Sequence, residues 1–193
     1  MRSQPLMRPA KDSDVPSLTL IWADVLRRAD RDQQVEDVRR IVDRVSALHE
    51  ERIVVAELDG AVAGAVHLKV TTFSPINLEP VVQAISPHVL PEFRRHGIGS
   101  ALMEAAVAFA EELGVGHVGT AVNSGARDSQ RFMARLALGP AATLRVAPTS
   151  VVRGRLQALW PAQRPGVGRP ASRHLPRVLA ARRSMRRGES PEA

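Results

Sequence analysis

The sequence predicts an α+β, or mixed α/β, fold, and three observations support this. Two segments near the N-terminus repeat apolar residues at helical spacing, and residues 52–90 alternate at strand spacing around an Asp59-Gly60 pair. Farther on, an apolar strand leads through a glycine-bearing turn into a helix and another strand, which makes one strand–helix–strand unit. The expected order of elements is therefore β-α-α-β-β-β-α-β-α-β-β.

The first elements are a short strand and two amphipathic helices. The strand is expected over Leu6–Pro9. Asp12 or Ser13 is expected to cap the first helix, because Pro16 is tolerated only in a first turn. The first helical stripe is Leu18, Ile21, Trp22, Val25 and Leu26, and the second is Val35, Val38, Val42, Val45 and Leu48. Charged residues separate the apolar ones, so each helix is expected to cover an apolar surface.

Three strands follow in the middle of the chain. The segments 53–58 and 62–73 flank Asp59-Gly60, a pair suited to the positive φ angles of a tight hairpin turn. A loop over 74–80 leads to a third strand over 81–90, in which Pro87 removes a donor from the ladder. These strands predict a largely antiparallel arrangement.

The remaining elements are a long helix and several short segments. The helix is expected from about Gly99 to Leu113, with Gly114 at its C-terminal cap. After it we expect a strand over 117–122, a helix over 126–138, and short strands over 143–146 and 150–152.

Composition excludes several classes of function. The 193 residues include no cysteine, which excludes disulfides, thiolate zinc sites and cysteine nucleophiles, and we expect no metal site. The 44% hydrophobic and 24% charged residues are ordinary globular usage, which excludes wholesale disorder. Because no apolar run reaches the roughly 18 residues of a membrane helix and no secretory signal is recognisable, we expect a soluble, cytoplasmic protein without a membrane span.

The positive charge of the chain is concentrated near its C-terminus. Ten arginines and two glutamates follow from Arg153 onward, a net charge of +8 against +7 for the whole chain. We therefore predict a balanced domain over 1–153 and a weakly ordered Arg/Pro/Gly-rich tail over 154–193. A solvated extension and non-specific contact with nucleic acid or acidic lipid both remain open for the tail. Base stacking is not supported, because Trp160 is the tail's sole aromatic residue.

The most informative segment joins the strand over 81–90 to the long helix. It reads Pro91-Glu92-Phe93-Arg94-Arg95-His96-Gly97-Ile98-Gly99-Ser100-Ala101-Leu102. The two glycines let backbone amides approach a bulky anion, the helix N-terminus adds partial positive charge, and two arginines add full charges. The segment therefore predicts a pyrophosphate site. It lacks the Gly-Lys-Ser/Thr of a Walker loop and the third glycine of a Rossmann fingerprint.

The spacing Arg-x-x-Gly-x-Gly, behind Val-x-Pro-Glu-Phe and before Ser-Ala-Leu-Met, resembles motif A of the GNAT-type N-acetyltransferase superfamily. The order of elements over residues 1 to about 153 resembles that family as well. The resemblance implies a twisted, mostly antiparallel sheet, splayed at its centre, with helices on both faces. It also implies transfer of an acetyl group from acetyl-CoA to a small-molecule or peptide amine acceptor by direct attack. A homodimer is left open.

The same resemblance assigns the cofactor contacts. The pyrophosphate is expected on the backbone of Arg94, Arg95, His96, Gly97, Ile98, Gly99, Ser100 and Ala101. Pantetheine is expected along the main chain of His88 and Val89, one of which must bind the thioester carbonyl because Pro87 has no N–H. Ala126 stands where the family has an asparagine, and Asn123 is expected to substitute for it. Met133 stands where the family has a tyrosine acid, and nothing obvious replaces it.

Two residues are candidate general bases for an amine acceptor, Glu79 before the third of the middle strands and His88 on it. A solvated loop carboxylate and an ordinary strand histidine are the competing interpretations. His67 and His117 are interpreted as structural, and Trp22 as a core residue rather than a wall of the substrate site. Two other functions remain open: a non-catalytic CoA-binding or interaction module, suggested by Ala126 and Met133, and a nucleic-acid-associated protein acting through its tail.

Overall fold

The computed structural model describes residues 4–121 and 125–159, in two units that divide between Pro140 and Ala141. The first unit contains β1 (Leu6–Pro9), α1 (Val15–Ile21), α2 (Arg31–Ser46), β2 (Glu51–Leu58), β3 (Ala61–Thr72), β4 (Pro80–Val89), α3 (Ile98–Glu112), β5 (Val118–Thr120) and α4 (Arg127–Arg135), with short 3₁₀ turns at Asp12–Asp14 and Pro91–Phe93. The second unit contains α5 (Thr149–Leu159).

The five strands form one sheet in sequence order. The first four are antiparallel neighbours, and β5 runs parallel to β4. The hairpin between β2 and β3 turns at Asp59 and Gly60, whose φ angles of 49° and 80° confirm the turn expected from that pair. The mixed α+β class and the mostly antiparallel sheet are therefore confirmed.

The sheet opens along one edge of β4. β5 pairs with β4 at three positions only, the last of which joins Ala84 to Thr120. The strand β4 continues for five residues beyond this pair, to Val89, and the described part of the chain provides no strand partner for them on that edge. This opening is the splay that the family resemblance implies, and it lies where β4 leads into the loop before α3.

Helices cover both faces of the sheet, because strand side chains point alternately to its two sides. One buried cluster joins side chains of α3 to the sheet residues Val54, Ala56, Val66, Leu68, Val82 and Ala84. The other joins α1 and α2 to Ile53, Val55 and Ala65. We refer to these sides as the α3 face and the α1/α2 face. Each fully buried valine or leucine contributes about 1.5–3 kcal/mol to folding.

The start and end of the first helix differ from expectation. Neither Asp12 nor Ser13 caps α1, because both lie in the 3₁₀ turn that precedes it. The Asp14 carboxylate instead pairs with the Arg8 guanidinium on β1 at 2.6 Å, which lowers the pKa of Asp14 below its usual range. The helix ends at Ile21, so the last part of the expected apolar stripe lies in a turn.

The two short strands expected after residue 140 are wrong. Residues 143–146 form no strand, and residues 150–152 lie within α5. Strands need a neighbour to bury their alternate side chains, yet Leu144 and Val146 are 90% and 84% exposed. The helix instead begins after Pro148, whose carbonyl accepts hydrogen bonds from the N–H groups of Val151 and Val152.

The predicted boundary between domain and tail, at residues 153 and 154, falls within α5. Residues 160–193, which hold most of the predicted tail, lie outside the described residues. The division into a domain and a tail therefore stays a prediction.

Two helices end in the same hydrogen-bonded motif with different residues at its left-handed position. In α3, Gly114 has a φ of 66° and its N–H bonds the Glu111 carbonyl, while the Val115 N–H bonds that of Ala110. In α4, Ala137 takes the same place with a φ of 60°. Its N–H and that of Leu138 bond the carbonyls of Ala134 and Met133. The Cβ of an alanine is strained in this conformation.

We expect Ala137→Gly to stabilise the protein by about 0.5–1 kcal/mol, because relief of left-handed strain exceeds the added entropy of the unfolded chain. The reciprocal change, Gly114→Ala, should destabilise by a similar or larger amount. Urea unfolding of both variants beside the wild type measures the two effects. Equal midpoints for Ala137→Gly and wild type would contradict the strain at residue 137.

Candidate functional site

The loop between β4 and α3 forms a concavity of backbone amides. Arg95 and Gly97 have φ angles of 68° and 78°, whereas Arg94 and His96 stay in the ordinary negative range. Residues that alternate in this way point successive N–H groups to one side, which makes an anion-binding concavity. Gly97 supplies the second left-handed position, immediately before α3 begins at Ile98.

The amides of this concavity have no acceptor of their own. Within residues 4–121 and 125–159, the N–H groups of residues 95–100 make no hydrogen bond, and the first bonded amide of α3 is that of Ala101, at 3.1 Å from the Gly97 carbonyl. The first turn of α3 adds the positive end of its dipole at the same place. Six free donors and a helix N-terminus fit the pyrophosphate of a nucleotide cofactor.

Charged side chains surround the concavity. Arg94, Arg95 and His96 are all exposed, and neither arginine has an ion-pair partner among the described residues. The Nδ1 of His96 donates to the Phe93 carbonyl at 3.1 Å, which fixes the imidazole over the turn before the loop. The loop therefore presents fixed positive charge to solvent without compensation by neighbouring carboxylates.

The loop is anchored to the sheet by a close approach at Gly64 on β3. A Cβ at this position would lie 2.7 Å from the His88 carbonyl and 3.2 Å from the Cγ2 of Ile98. Ile98, the first residue of α3, is itself fully buried. A glycine is therefore required where the end of β4 and the start of α3 both pack on β3. The sequence analysis missed this residue, because nothing local distinguishes Gly64 from any other strand glycine.

The hydrogen-bond pattern between β3 and β4 shows which backbone groups face the opening. The Leu90 N–H donates to the Ala63 carbonyl at 2.9 Å, so these residues form a hydrogen-bonded pair of the ladder. In an antiparallel ladder such pairs alternate with pairs that exchange no bonds, and Val89 opposite Gly64 is the next pair. The N–H and carbonyl of Val89 therefore point away from β3, into the opening beside β4.

His88 has the complementary arrangement. It pairs with Ala65 in the next hydrogen-bonded position, so its main chain is directed to β3. Its side chain lies on the α1/α2 face, like that of Ala65. The His88 imidazole is partly exposed and has no hydrogen-bond partner in the described ranges. The sequence analysis expects the main-chain donor at either His88 or Val89. In the structure Val89 has the free main-chain donor, and His88 has the free imidazole.

Glu79 does not meet His88. It precedes β4, and at about 3.3 Å per strand residue the two lie roughly 25–30 Å apart at opposite ends of the strand. The carboxylate instead lies 3.6 Å from the Nδ1 of His117, whose ring packs edge-on against Phe73. The anion concavity lies at the His88 end of β4.

The family positions on α4 are occupied as the sequence indicates, but they do not form an acid–base site. Met133 is 7% exposed and packs in the core on the α3 face. Ala126 is the residue before α4, and Asn123 lies outside the described residues. Phe132 approaches the start of α3, since its Cζ lies 3.6 Å from the position of a Cβ on Gly99.

The other histidine on the α1/α2 face is part of a structural ion-pair cluster. The Nε2 of His67 lies 3.0 Å from a Glu51 carboxylate oxygen, and Lys69 contacts the other oxygen at 2.8 Å. Burial lowers the pKa of the His67 imidazole below its usual range, against the opposing effect of Glu51. This agrees with the interpretation of His67 as structural. Nowhere in residues 4–121 and 125–159 do three potential metal ligands cluster, and no helix there is long and apolar enough to cross a membrane.

The open sheet edge lies beside a strand–loop–helix junction whose amides are unbonded, an arrangement that fits an acyl-CoA-dependent transferase. Residues 18–138 match the Acetyltransferase (GNAT) family. The chain is also 32% identical over 108 residues to an uncharacterized N-acetyltransferase of Archaeoglobus fulgidus, with 45% of this chain and 74% of the relative covered. The chain belongs to the GNAT acetyltransferase family, and it is an acetyl-CoA-dependent N-acetyltransferase.

Solved structures share the fold. A transcriptional regulator from Bacillus halodurans superposes with a TM-score of 0.66 at 18% identity, over 75% of this chain and 99% of the other. The aminoglycoside N-acetyltransferase AAC(6')-Iy in complex with CoA superposes with a TM-score of 0.64 at 15% identity, over 76% and 95%. At these identities the likeness concerns the fold alone.

Proposed function

We propose that acetyl-CoA binds with its pyrophosphate on the amides of residues 95–100 and with its thioester beside Val89. The carrying observation is the group of unbonded amides at residues 95–100, together with the Val89 N–H that points into the opening beside β4. Arg94 and Arg95 add charge for the phosphates. Asn123 keeps its predicted cofactor contact as part of this proposal.

The transfer is a direct attack by the acceptor amine on the thioester that acetyl-CoA supplies. The amine nitrogen bonds to the carbonyl carbon, the carbon–sulfur bond breaks, and CoA leaves as the thiolate. The Val89 N–H stabilises the negative charge that develops on the carbonyl oxygen. The chain contains no cysteine, so the acetyl group does not pass through a cysteine thioester of the enzyme.

We assign the general base to His88 rather than Glu79. His88 adjoins Val89 on β4 and carries a free imidazole on the α1/α2 face, where the acceptor approaches, whereas Glu79 lies at the other end of the strand. The imidazole accepts the proton that the attacking amine loses. Met133 has no proton to donate and is buried, so the thiolate leaves without a general acid from that position, at a correspondingly lower rate.

The acceptor is proposed to be a small-molecule or peptide amine that binds over α1, α2 and the end of β4, beside His88 and Val89. The AAC(6')-Iy relative is named for an aminoglycoside, a small polyamine, which supports the small-molecule alternative. We propose a cytoplasmic location, because acetyl-CoA is available there. Sedimentation would test whether the chain forms a homodimer.

The function is tested by screening a panel of amines for release of free CoA, with turnover followed against pH. We expect the rate to rise with pH, since only the neutral amine attacks and ordinary amines are mostly protonated at neutral pH. If wild type binds acetyl-CoA tightly but acetylates no amine, the binding-module alternative replaces the enzymatic one.

The base is tested by His88→Ala with Glu79→Gln as the matched control. We expect His88→Ala to lower kcat about 100-fold or more, the usual contribution of a general base, with little change in the KM for acetyl-CoA. Glu79→Gln should retain kcat within about twofold. Full turnover by His88→Ala across the pH range would show that the amine loses its proton to solvent.

A further inference from the structure

The strand β4 contains a bulge just before His88. Between the β3–β4 pairs Ala65–His88 and His67–Ile85, β3 advances by two residues while β4 advances by three. Ser86 lies within the extra length and has a φ of 47°, which is rare for a residue with a Cβ. Pro87 follows it and offers no N–H to the ladder.

The bulge determines which way the next two residues face. Side chains and backbone groups of a strand alternate with a period of two, so one residue more or fewer exchanges the two sides. With the extra residue present, the His88 side chain lies on the α1/α2 face and the Val89 N–H points into the opening. Loss of the bulge would reverse both orientations relative to β3.

A single side chain from outside the sheet holds the bulge. The Nε1–H of Trp22 donates to the Ser86 carbonyl at 3.0 Å, across 64 residues of sequence. Trp22 directly follows α1 and is only 6% exposed, packed in the cluster on the α1/α2 face. A strained residue in a bulge persists when its surroundings fix it, and here a rigid, buried indole supplies that constraint.

We propose that Trp22 is a positioning residue for acetyl transfer. Its indole N–H fixes the Ser86 bulge and thereby presents the Val89 amide to the thioester carbonyl and the His88 imidazole to the attacking amine. Trp22 does not touch the reacting atoms. This inference rests on the proposed function, because it assigns to Trp22 the geometry of the two groups that act on the thioester.

The test compares Trp22→Phe with Thr19→Val. The first change keeps an aromatic ring but removes the donor to Ser86. The second removes a buried hydrogen bond within α1, the helix that Trp22 directly follows, from the Thr19 hydroxyl to the Val15 carbonyl at 2.8 Å. We expect Trp22→Phe to lower kcat at least tenfold while the KM for acetyl-CoA stays within about threefold. Thr19→Val should keep kcat within about twofold at a comparable loss in Tm.

A rescue separates positioning from general packing. Glycine adopts the φ of residue 86 without strain, so Ser86→Gly should let the bulge persist without the indole. The double variant Trp22→Phe/Ser86→Gly is expected to recover at least part of the lost kcat. Wild-type kcat in Trp22→Phe, or no recovery in the double variant, would overturn the proposal while leaving the acetyltransferase assignment intact. Absence of turnover by wild type would instead remove the proposed function and this inference with it.

If Trp22→Phe does not fold, the NMR resonance of the Trp22 indole N–H tests the proposal instead. The sequence contains two tryptophans, so Trp160→Phe leaves Trp22 as the source of a single indole N–H resonance. We expect this resonance to shift more on addition of acetyl-CoA than on addition of CoA, because the acetyl group lies at the end of β4. Identical shifts with both ligands would contradict the coupling of Trp22 to the thioester.

Discussion

Reversing the charges of Arg94 and Arg95 together, as Arg94→Glu/Arg95→Glu, should lower the affinity for CoA about 100-fold or more. Each charge-assisted contact to a phosphate contributes about 1.5–3 kcal/mol, and a carboxylate in its place adds repulsion. Both side chains are exposed and have no carboxylate partner among the residues described, so the fold should tolerate the change. The backbone strain of the left-handed φ at residue 95 stays the same, because glutamate and arginine both have a Cβ.

The matched control is Arg40→Glu on α2, an exposed arginine outside the loop that forms an ion pair with Glu36 at 3.0 Å. Calorimetric titration with CoA at two salt concentrations gives affinities for wild type and both variants. We expect the control to bind CoA like wild type and the double variant to lose most of the salt dependence. Unchanged affinity for CoA in a folded double variant would show that the phosphates do not bind at this loop.

Adding one methyl group at Gly64 should disturb both stability and function. The new Cβ of Gly64→Ala would lie 2.7 Å from the His88 carbonyl, a backbone atom that cannot rotate away, and 3.2 Å from the Ile98 side chain. Either β3 and β4 separate or the start of α3 shifts. Overpacking of this kind costs about 1–3 kcal/mol, and here it also moves the groups that we propose bind acetyl-CoA.

Gly119→Ala is the control for this substitution. It also adds a Cβ to a strand glycine, but the nearest atom is the end of the Val81 side chain at 3.4 Å. We expect Gly64→Ala to unfold at a clearly lower urea concentration and to lose at least tenfold in kcat/KM, with Gly119→Ala near wild type in stability. Equal stability of the two variants would show that the junction yields more easily than its packing indicates.

Features set by local chemistry could be predicted from the sequence. The hairpin at Asp59-Gly60 follows from the backbone freedom of two adjacent residues, and the end of α3 follows from Gly114. The amide concavity before α3 likewise depends on a short segment with two glycines and a helix start, and its use as an anion site stays a prediction. Such features depend on neighbours in sequence, so a single sequence contains enough information for them.

Features set by register and long-range packing could not be predicted. A bulge at Ser86 changes which of His88 and Val89 faces the opening. Pro87 is a residue that strands accept at a bulge, but it does not show which residues the bulge reorients. The sequence offers one candidate base near each end of β4, Glu79 and His88. The length and direction of the strand in the structure separate the two. The apolar alternation around Val151 resembles a strand, yet these residues lie in α5.

The most direct test of the account is a ¹⁵N–¹H amide titration of the protein with acetyl-CoA. The account predicts that the largest shifts fall on residues 95–100, where six amides without acceptors meet the pyrophosphate, and on Val89 in the opening beside β4. Gly97 and Gly99 lie in this group and are readily recognised by their ¹⁵N shifts. Shifts that cluster elsewhere in the chain, with these amides unmoved at saturation, would contradict the assignment of the acetyl-CoA site.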